Sequence, residues 1–248
     1  MRYFFAVIRI GMYALVFGVF VMIGVCGHFL FFMSPPRLLT WIAFFAQMWA
    51  RVTCLVLNIQ VRIEGNASIK PGSLIVANHV GSPDIFVLGA KFKGFFVSKS
   101  EIADWPFFSW LARLGMTVFV DRSKRHQVKA LIEEIEQRLN NDQCVILFPE
   151  AQATDGTDVV PFKSAVFESA VLASRPVVPV EIRYHDDHQP TIAYHGDSFI
   201  IHIMTLLKAP RLLATVTILP EISVGEDRQT LAEKSYKAIH DKHMSNNG

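Results

Sequence analysis

Apolar residues are arranged in two different ways along this chain. From residue 10 to residue 33 there is no Lys, Arg, Asp or Glu, and a second apolar stretch runs from Leu38 to Leu57. After Asn58, short β-branched or aromatic runs alternate with segments of helical periodicity. The runs are Val61–Ile63, Leu74–Ala77, Phe95–Val97, Met116–Val120, Val145–Phe148, Val177–Ile182 and Ala214–Leu219. Strands that alternate with helices predict an α/β fold with a largely parallel sheet flanked by helices, preceded by an N-terminal membrane helix or helical hairpin.

Two helices of the α/β part can be placed from the sequence. One carries an apolar stripe at helical spacing, and the segment 226–244 has the pattern of a polar amphipathic helix. The stripe consists of Val128, Leu131, Ile132, Ile135 and Leu139. The pattern divides the chain into an N-terminal membrane anchor at residues 1–57, with one span plus a second span or interfacial helix, and an α/β domain at residues 58–248.

The first apolar segment is long enough to be a retained membrane anchor. Two dozen residues of helix rise about 36 Å, which exceeds the roughly 30 Å of a hydrocarbon core. A cleaved signal peptide would have a shorter apolar core that ends at a small-x-small site, and no good site of that kind is present. Pro35 and Pro36 end the segment.

The second apolar stretch can be a second span or a helix that lies in the membrane interface. Arg51 favours the interfacial helix, because a charge at the bilayer centre costs roughly 3 kcal/mol. Basic residues flank the first segment on both sides, so the positive-inside rule leaves the topology open. A helical hairpin that enters the membrane and returns would keep both flanks on one side.

Composition narrows the classes of partner. The net charge of +2 over 248 residues argues against nucleic acid as the main partner, since duplex binders usually present a strong basic face. It is compatible with weak attraction to an anionic lipid surface. The three cysteines are scattered and without zinc spacing, so neither a disulfide framework nor a metal is expected. A reducing cytoplasmic face is the natural environment.

A histidine and an aspartate follow the second predicted strand. His79 leaves the end of the run Leu74–Ala77, and Asp84 lies five residues later, directly after Ser82 and Pro83. Ser82 fits the N-cap and Pro83 the first position of a helix, so Asp84 enters the first turn, where the helix dipole favours a carboxylate. This geometry can bring the carboxylate against the imidazole. An imidazole held in this way is a general base for a hydroxyl or an amine.

Two further charged residues follow predicted strands. Arg122 comes directly after the run that ends at Val120, and Glu150 after the run that ends at Phe148. Chemistry collects at the carboxyl ends of parallel strands, so His79, Arg122 and Glu150 are expected in one site. The structural alternatives are a surface charge or an ion pair for Arg122, and a helix-capping or loop carboxylate for Glu150.

The order of these motifs resembles that of a known family. The motifs are His79–Asp84, Gly115–Arg122, Phe148–Glu150 and Pro176–Val180, with further similarity at Val97–Glu101, Trp105–Pro106 and Pro161–Ser164. Together they resemble the glycerolipid (lysophospholipid) acyltransferases related to bacterial 1-acylglycerol-3-phosphate acyltransferase. The resemblance covers residues 74–182.

The resemblance implies a role for each residue. His79 would deprotonate the acceptor hydroxyl, which attacks an acyl thioester, and Asp84 would orient the imidazole. Arg122 would bind the phosphate of the acceptor, with help from Lys163. Glu150 would bind the acceptor or organise the site.

The third motif departs from the family pattern. After Phe-Pro-Glu the family usually has Gly-Thr, often followed by Arg or Thr, whereas this chain continues with the segment Ala151–Gly156. Ala151 places a Cβ where the backbone can approach a ligand or need a positive φ, and the missing arginine removes a phosphate donor. The acceptor is therefore 1-acylglycerol-3-phosphate, giving phosphatidic acid, or another lysolipid such as a lyso-ornithine lipid.

The expected enzyme is a membrane-bound O-acyltransferase of lipid biosynthesis. The sequence has no Walker loop, no Gly-x-Gly-x-x-Gly and no nucleophile elbow, so we expect no nucleotide hydrolysis, no bound redox cofactor and no acyl-serine. Acyl-CoA or acyl-ACP would enter as a substrate, with the lysolipid and membrane lipid as the other partners. The expected location is the bacterial inner membrane, with the active site facing the cytoplasm. A catalytically silent lipid-binding protein that kept the fold is the alternative class.

Overall fold

The computed structural model describes residues 2–66, 68–100, 108–120, 125–185, 192, 199–223, 225 and 227–247. It begins with two long helices, α1 (Arg2–Phe31) and α2 (Pro35–Leu57). The strands are β1 (Ile59–Gly65), β2 (Leu74–Ala77), β3 (Gly94–Lys99), β4 (Val118–Val120), β5 (Cys144–Leu147), β6 (Val177–Tyr184) and β7 (Leu212–Ile218). The remaining helices are α3 (Pro83–Lys91), α4 (Phe108–Leu114), α5 (Arg125–Asn140), α6 (Glu168–Ala173), α7 (Phe199–Lys208) and α8 (Arg228–Asn247), with a 3₁₀ turn at Ser164–Phe167.

The strands form one seven-stranded sheet in the order β1-β7-β6-β2-β5-β3-β4. Neighbouring strands are parallel, except that β6 and β7 are antiparallel. The predicted fold, a largely parallel sheet flanked by helices, is confirmed. Each of the seven apolar runs contains or overlaps one of these strands, so the switch from one periodicity to the other located the sheet correctly.

Both faces of the sheet are covered, which explains why its central strands are apolar without alternation. All four residues of β2 are buried. Ile75 and Ala77 pack into a core that includes α3, whereas Leu74 and Val76 pack on the opposite side with α5 and α6. Successive side chains of a strand point to opposite faces, so a strand between two helical layers buries every residue.

The first two helices form a hairpin that packs on the α/β domain. The indole N–H of Trp41 in α2 donates to the carbonyl of Ile23 in α1 (3.4 Å). At Gly27 of α1 a Cβ would lie 2.4 Å from the indole ring of Trp41, so only glycine allows this approach. By length and composition, both helices are suited to cross a membrane.

Polar side chains of α2 dock the hairpin on the end of α3. The amide of Gln47 donates to the carbonyl of Lys91 (2.9 Å), and the guanidinium of Arg51 donates to the carbonyl of Ala90 (3.0 Å). These carbonyls belong to the last turn of α3, where a positive charge is favoured. The charge of Arg51 therefore has a partner in the α/β domain, at the C-terminal end of α3. The domain boundary at residue 57 stays a prediction.

One face of α1 remains uncovered. Val7, Leu15, Met22 and Phe29 are each more than two-thirds exposed and recur every seven or eight residues, which places them on one side of the helix. The other side carries Arg9, which is buried and donates to one carbonyl in the last turn of α7 and to another just after that helix. A helix with one buried and one exposed apolar face needs an apolar environment for the second.

The C-terminal helix closes the opposite side of the sheet. His243 in α8 contacts the Glu181 carboxylate in β6 through Nδ1 (3.3 Å) and the carbonyl of Gly156 through Nε2 (3.1 Å). Glu181 also accepts from the hydroxyl of Thr217 (3.2 Å). These contacts hold the segment around Gly156, which follows β5, against α8 and β6.

Candidate active site

The loop between β2 and α3 brings a histidine against an aspartate. Nδ1 of His79 lies 2.7 Å from Oδ2 of Asp84. The Asp84 side chain is fully buried, whereas 22% of the His79 side chain is exposed. The contact predicted from the spacing is therefore present. Because Nδ1 is held by the carboxylate, Nε2 is the ring nitrogen that can accept a proton.

The carboxylate of Asp84 accepts three further hydrogen bonds. Oδ2 accepts from the backbone N–H groups of Val80 (2.7 Å) and Gly81 (3.0 Å), and Oδ1 accepts from the hydroxyl of Tyr184 (2.7 Å). Burial, with a smaller contribution from the Asp84 charge, raises the pKa of Tyr184 well above its usual value, so its hydroxyl stays a donor. Four donors fix the carboxylate, and through it the plane of the imidazole.

Asn78 fixes the end of β2 against β6. Its amide N–H donates to the carbonyl of Ile182 (2.9 Å), and its side-chain oxygen accepts from the N–H of the same residue (2.7 Å). Both contacts are buried. The side chain of Asn78 thus adds one more pair of hydrogen bonds between β2 and β6, beyond the end of β2. This holds the backbone in place directly before His79.

The segment after β5 holds His79 from the other side. The ring of Phe148 stacks on the imidazole, with centroids 4.1 Å apart and planes at 15°. Oε1 of Glu150 accepts from the backbone N–H of His79 (3.2 Å), and the carbonyl of His79 accepts from the N–H of Thr154 (2.8 Å). Since β5 is the direct neighbour of β2, the two carboxyl ends meet at one sheet edge.

Glu150 occupies an apolar environment. It is buried, and among the residues that the structure describes its Oε2 has no hydrogen-bond partner. Burial raises the pKa of Glu150 to about 8, opposed by the N–H of His79 and reinforced by the Asp84 charge. At neutral pH the side chain is therefore largely a neutral acid.

We expect Glu150 to make the protein less stable as the pH rises. Its pKa is about 8 when folded and 4.5 ordinarily, so between these values the folded state keeps a proton that the unfolded chain releases. Stability then falls with rising pH, by up to about 1.4 kcal/mol per pH unit. Glu150→Gln keeps a side-chain oxygen that can accept from the backbone N–H of His79, but it does not titrate. Its stability should therefore depend less on pH. Thermal unfolding midpoints of both proteins across the window test it, and parallel pH curves would contradict it.

Ala151 has the backbone conformation anticipated at this position. Its φ is +67°, in the left-handed region that favours glycine. Its N–H donates to the carbonyl of Phe148 (3.2 Å), which closes a turn directly after the third motif. The chain therefore forms this turn with alanine in place of the usual glycine, which adds local backbone strain.

Ala151→Gly should stabilise the protein by about 0.5–1 kcal/mol, because relief of the left-handed strain exceeds the added entropy of the unfolded chain. The matched control is Ala153→Gly, two residues on and without positive φ, which should lower stability. Denaturant unfolding of the two variants measures the difference. Equal destabilisation by both substitutions would show that the strain at Ala151 is negligible.

Ser82 does not cap α3 with its side chain, contrary to the expectation from the sequence. Its backbone is helical (φ −58°, ψ −28°), and its hydroxyl makes no capping hydrogen bond. Instead, Oγ lies 2.8 Å from Nε2 of His202 in α7. The Asp84 carboxylate accepts from the N–H groups of Val80 and Gly81, which belong to the loop before α3, so it does not replace a serine cap.

A cavity of about 510 Å³ opens beside the imidazole. Its lining combines His79 and Ser82 with apolar side chains of the hairpin, α3, β3 and α4. Those apolar side chains include Phe20, Trp41, Phe86, Phe95 and Leu114. Among the described lining residues there is no Lys, Arg, Asp or Glu. The volume lies within the range of about 300–1,000 Å³ found for small-molecule sites.

Of the predicted binding residues, one lies outside the described part of the chain and one is not in the described cavity lining. Arg122 lies outside the described residues; the strand before it, β4, is three positions from β2, roughly 14 Å at the usual strand spacing. The side chain of Lys163 is exposed and is not part of the described cavity lining. Its backbone N–H donates to the carbonyl of Pro149 (3.0 Å). The binding roles of Arg122, Lys163 and Glu150, like the catalytic roles of His79 and Asp84, stay predictions.

Comparison with known proteins identifies the family. The family model described as Acyltransferase matches residues 58–183, which are 126 of the 248 residues. The chain belongs to the acyltransferase family. All the residues that contact His79 through the ends of β2 and β5 lie within the matched range, whereas α1, α2, α7 and α8 of this acyltransferase lie outside it.

The relatives that resemble this acyltransferase are named for two different lipid acceptors. The lyso-ornithine lipid O-acyltransferase of Rhizobium meliloti (strain 1021) is 34% identical over 176 residues, covering 64% of this chain and 60% of that protein. The match thus spans less than two thirds of the Rhizobium protein. The 1-acyl-sn-glycerol-3-phosphate acyltransferase of Neisseria gonorrhoeae is 30% identical over 173 residues, covering 68% of each.

A solved structure shares the whole architecture. The 1-acyl-sn-glycerophosphate acyltransferase PlsC of Thermotoga maritima superposes with a TM-score of 0.73 at 20% identity, covering 100% of this chain and 98% of that one. The likeness extends over the helical hairpin as well as the sheet. It establishes that this acyltransferase has the same fold.

Sequence reasoning missed several residues that build the site. Asn78 directly precedes His79 and could have been suspected as the first polar residue after a buried strand. Tyr184 lies two residues beyond the predicted end of β6, so a run extended by two residues would have included it. His202 lies in α7, a helix that the sequence pattern did not indicate, and no local signal connects it to Ser82.

Proposed function

We propose that this acyltransferase moves a fatty acyl group from a thioester to the hydroxyl of a lysolipid. The observation that carries the proposal is the 2.7 Å contact of His79 with Asp84, with the imidazole at the wall of an apolar cavity. A buried carboxylate that orients a partly exposed imidazole is the arrangement of a general base. An apolar cavity beside that base suits a substrate with a hydrocarbon chain.

The proposed reaction begins with proton transfer. Nε2 of His79 takes the proton of the acceptor hydroxyl as the oxygen attacks the thioester carbonyl, while Asp84 stabilises the imidazolium that forms. The C–O bond forms and negative charge develops on the carbonyl oxygen. Collapse of this intermediate breaks the C–S bond, and the imidazolium returns its proton to the leaving thiolate. The products are the acylated lipid and the free thiol of coenzyme A or acyl carrier protein.

The hairpin supports a membrane location for this reaction. Phe20 and Trp41 connect it to the cavity wall, and the exposed face of α1 offers apolar side chains to lipid. A lysolipid could thus pass from the bilayer to His79 along apolar surface. Because acyl thioesters are cytosolic, the proposed site faces the cytoplasm at the bacterial inner membrane.

Two acceptors are candidates. Arg122, at the position where the family places an acceptor-binding arginine, favours 1-acylglycerol-3-phosphate, as does the name of the Neisseria relative. Ala151, where the family usually has glycine, favours an acceptor with a different headgroup, and the Rhizobium relative is named for lyso-ornithine lipid. Both acceptors present a hydroxyl that His79 could deprotonate.

The test is acyl transfer by the purified full-length chain in phospholipid vesicles. Acyl-CoA and acyl-ACP are each supplied with 1-acylglycerol-3-phosphate or lyso-ornithine lipid, and products are measured by mass spectrometry. Transfer to at least one acceptor, lost in His79→Ala, is expected. Binding of lysolipid without turnover under every condition would instead identify a silent lipid-binding protein.

A further inference from the structure

The pairing of Ser82 with His202 has no role in the reaction described so far. His202 is 5% exposed and reaches Ser82 across 120 positions of the sequence, from a helix outside the region that the family model matches. Ser82 lines the same cavity as His79 and lies three residues after it. A buried imidazole therefore holds a hydroxyl in the wall of the cavity that the proposed base also lines.

The proposed reaction needs a donor for the oxyanion of the thioester carbonyl. The nearby backbone N–H groups of Val80 and Gly81 are engaged by Asp84, and that of Ala151 by the carbonyl of Phe148. The N–H of Thr154 is engaged by the carbonyl of His79. These four groups cannot serve an oxyanion without breaking the contacts that position the base.

We propose that the Ser82 hydroxyl donates a hydrogen bond to the developing oxyanion and that His202 is the positioning residue that aims it. With a proton on Nε2, His202 donates to Oγ of Ser82 and occupies one of its lone pairs. The hydroxyl hydrogen is then directed away from His202 and into the cavity. This inference rests on the proposed acyl transfer, since it assigns a donor to the transition state of that reaction.

The role differs from that of a nucleophile. Ser82 forms no bond to the acyl carbon and loses no proton; it stabilises the charge that appears when the acceptor oxygen attacks. A donor of this kind acts on the transition state more than on the bound substrate. Its removal should therefore change kcat and leave KM nearly unaltered.

The experiment measures kcat and KM for acyl transfer by Ser82→Ala, His202→Ala and the double variant. We expect Ser82→Ala to lower kcat by about 10²-fold, the scale found for loss of one oxyanion donor. His202→Ala should lower kcat less, and it should have no further effect once Ser82 is alanine, because His202 acts through that hydroxyl. His202→Gln retains an amide N–H that can donate to Ser82. Its kcat should therefore be closer to that of the wild type than the kcat of His202→Ala.

A matched control separates this role from a structural one. Ser235→Ala removes another buried serine hydroxyl, in α8 and outside the described cavity lining, and should leave kcat unchanged. Thermal unfolding midpoints are measured for every variant. If Ser82→Ala unfolds, Ser82→Cys, with a weaker donor in the same space, replaces it and should also lower kcat.

Two outcomes would overturn the inference. Unaltered kcat in folded Ser82→Ala, with His79→Ala inactive, would remove the hydroxyl from the mechanism and leave the proposed function intact. Additive losses from Ser82→Ala and His202→Ala would show that His202 does not act through Ser82. Inactive wild-type protein with every thioester and lysolipid would instead overturn the proposed function, and the inference with it.

Discussion

Replacing His79 with alanine should lower kcat for acyl transfer by about 10²–10⁴-fold, the usual contribution of a general base. The acceptor hydroxyl would have to lose its proton to water, because no second histidine is among the described residues that line the cavity. About four fifths of the side chain is buried and it stacks on Phe148, so the loss of this packing should also lower stability, and the unfolding midpoint is measured beside the rate. Steady-state rates at saturating lysolipid measure the effect.

Asp84→Asn provides the companion measurement. The amide fills the same buried space, but its NH₂ group faces donors on Val80, Gly81 or Tyr184, and it cannot stabilise an imidazolium as a carboxylate does. We expect kcat to fall by a similar factor and His79→Ala/Asp84→Asn to be little worse than either single variant. Retention of wild-type kcat by His79→Ala would refute the base assignment.

Asn78→Ala should destabilise the protein by about 2–6 kcal/mol, the largest effect on stability that we expect from a single polar side chain of the site. The change leaves the buried N–H and carbonyl of Ile182 without the partners they now have. Each unsatisfied buried group costs about 1–3 kcal/mol. The end of β2 would also separate from β6, which moves His79.

The unfolding midpoint in urea measures this effect, with Asn66→Ala as the control. Asn66 accepts one exposed hydrogen bond, from the N–H of Ser68, so its loss should cost little. A decrease in stability for Asn78→Ala no larger than that for Asn66→Ala would show that the amide does not hold the two strands together.

The sheet was predictable because its strands have a simple physical signature. A strand buried on both faces reads as a short continuous apolar run, and Leu74–Ala77 was located to the residue. The contact between His79 and Asp84 was predictable for the same reason: both residues lie within one strand–loop–helix unit, so local geometry sets their distance.

The rest of the site depends on contacts between distant segments. Tyr184 meets Asp84 only because β6 pairs with β2, and the pattern of apolar runs does not indicate that strand order. Ser82 follows the rule for a helix cap locally, yet its backbone is helical and its hydroxyl pairs with His202 in α7. Tertiary partners overrode a local preference at that position.

The contact of Arg51 is another example of a tertiary partner that local sequence reasoning could not predict. Its charge suggested where a helix could lie relative to a bilayer, whereas the structure gives it a protein partner, the carbonyl of Ala90. Hydropathy weighs a charged residue against lipid alone. It cannot register the terminal carbonyls of a neighbouring helix, which in this fold receive the guanidinium.

Phe20, Gly24 and Trp41 contribute to the cavity wall, so the proposed membrane anchor is also part of the proposed substrate site. Trimming the N-terminus to obtain a water-soluble enzyme would leave the pocket open on that side. An apolar substrate would then lose part of its binding cavity, although His79 and Asp84 would be unchanged. At the proposed membrane location, a detergent used to extract the protein would compete with the lysolipid for this same apolar surface.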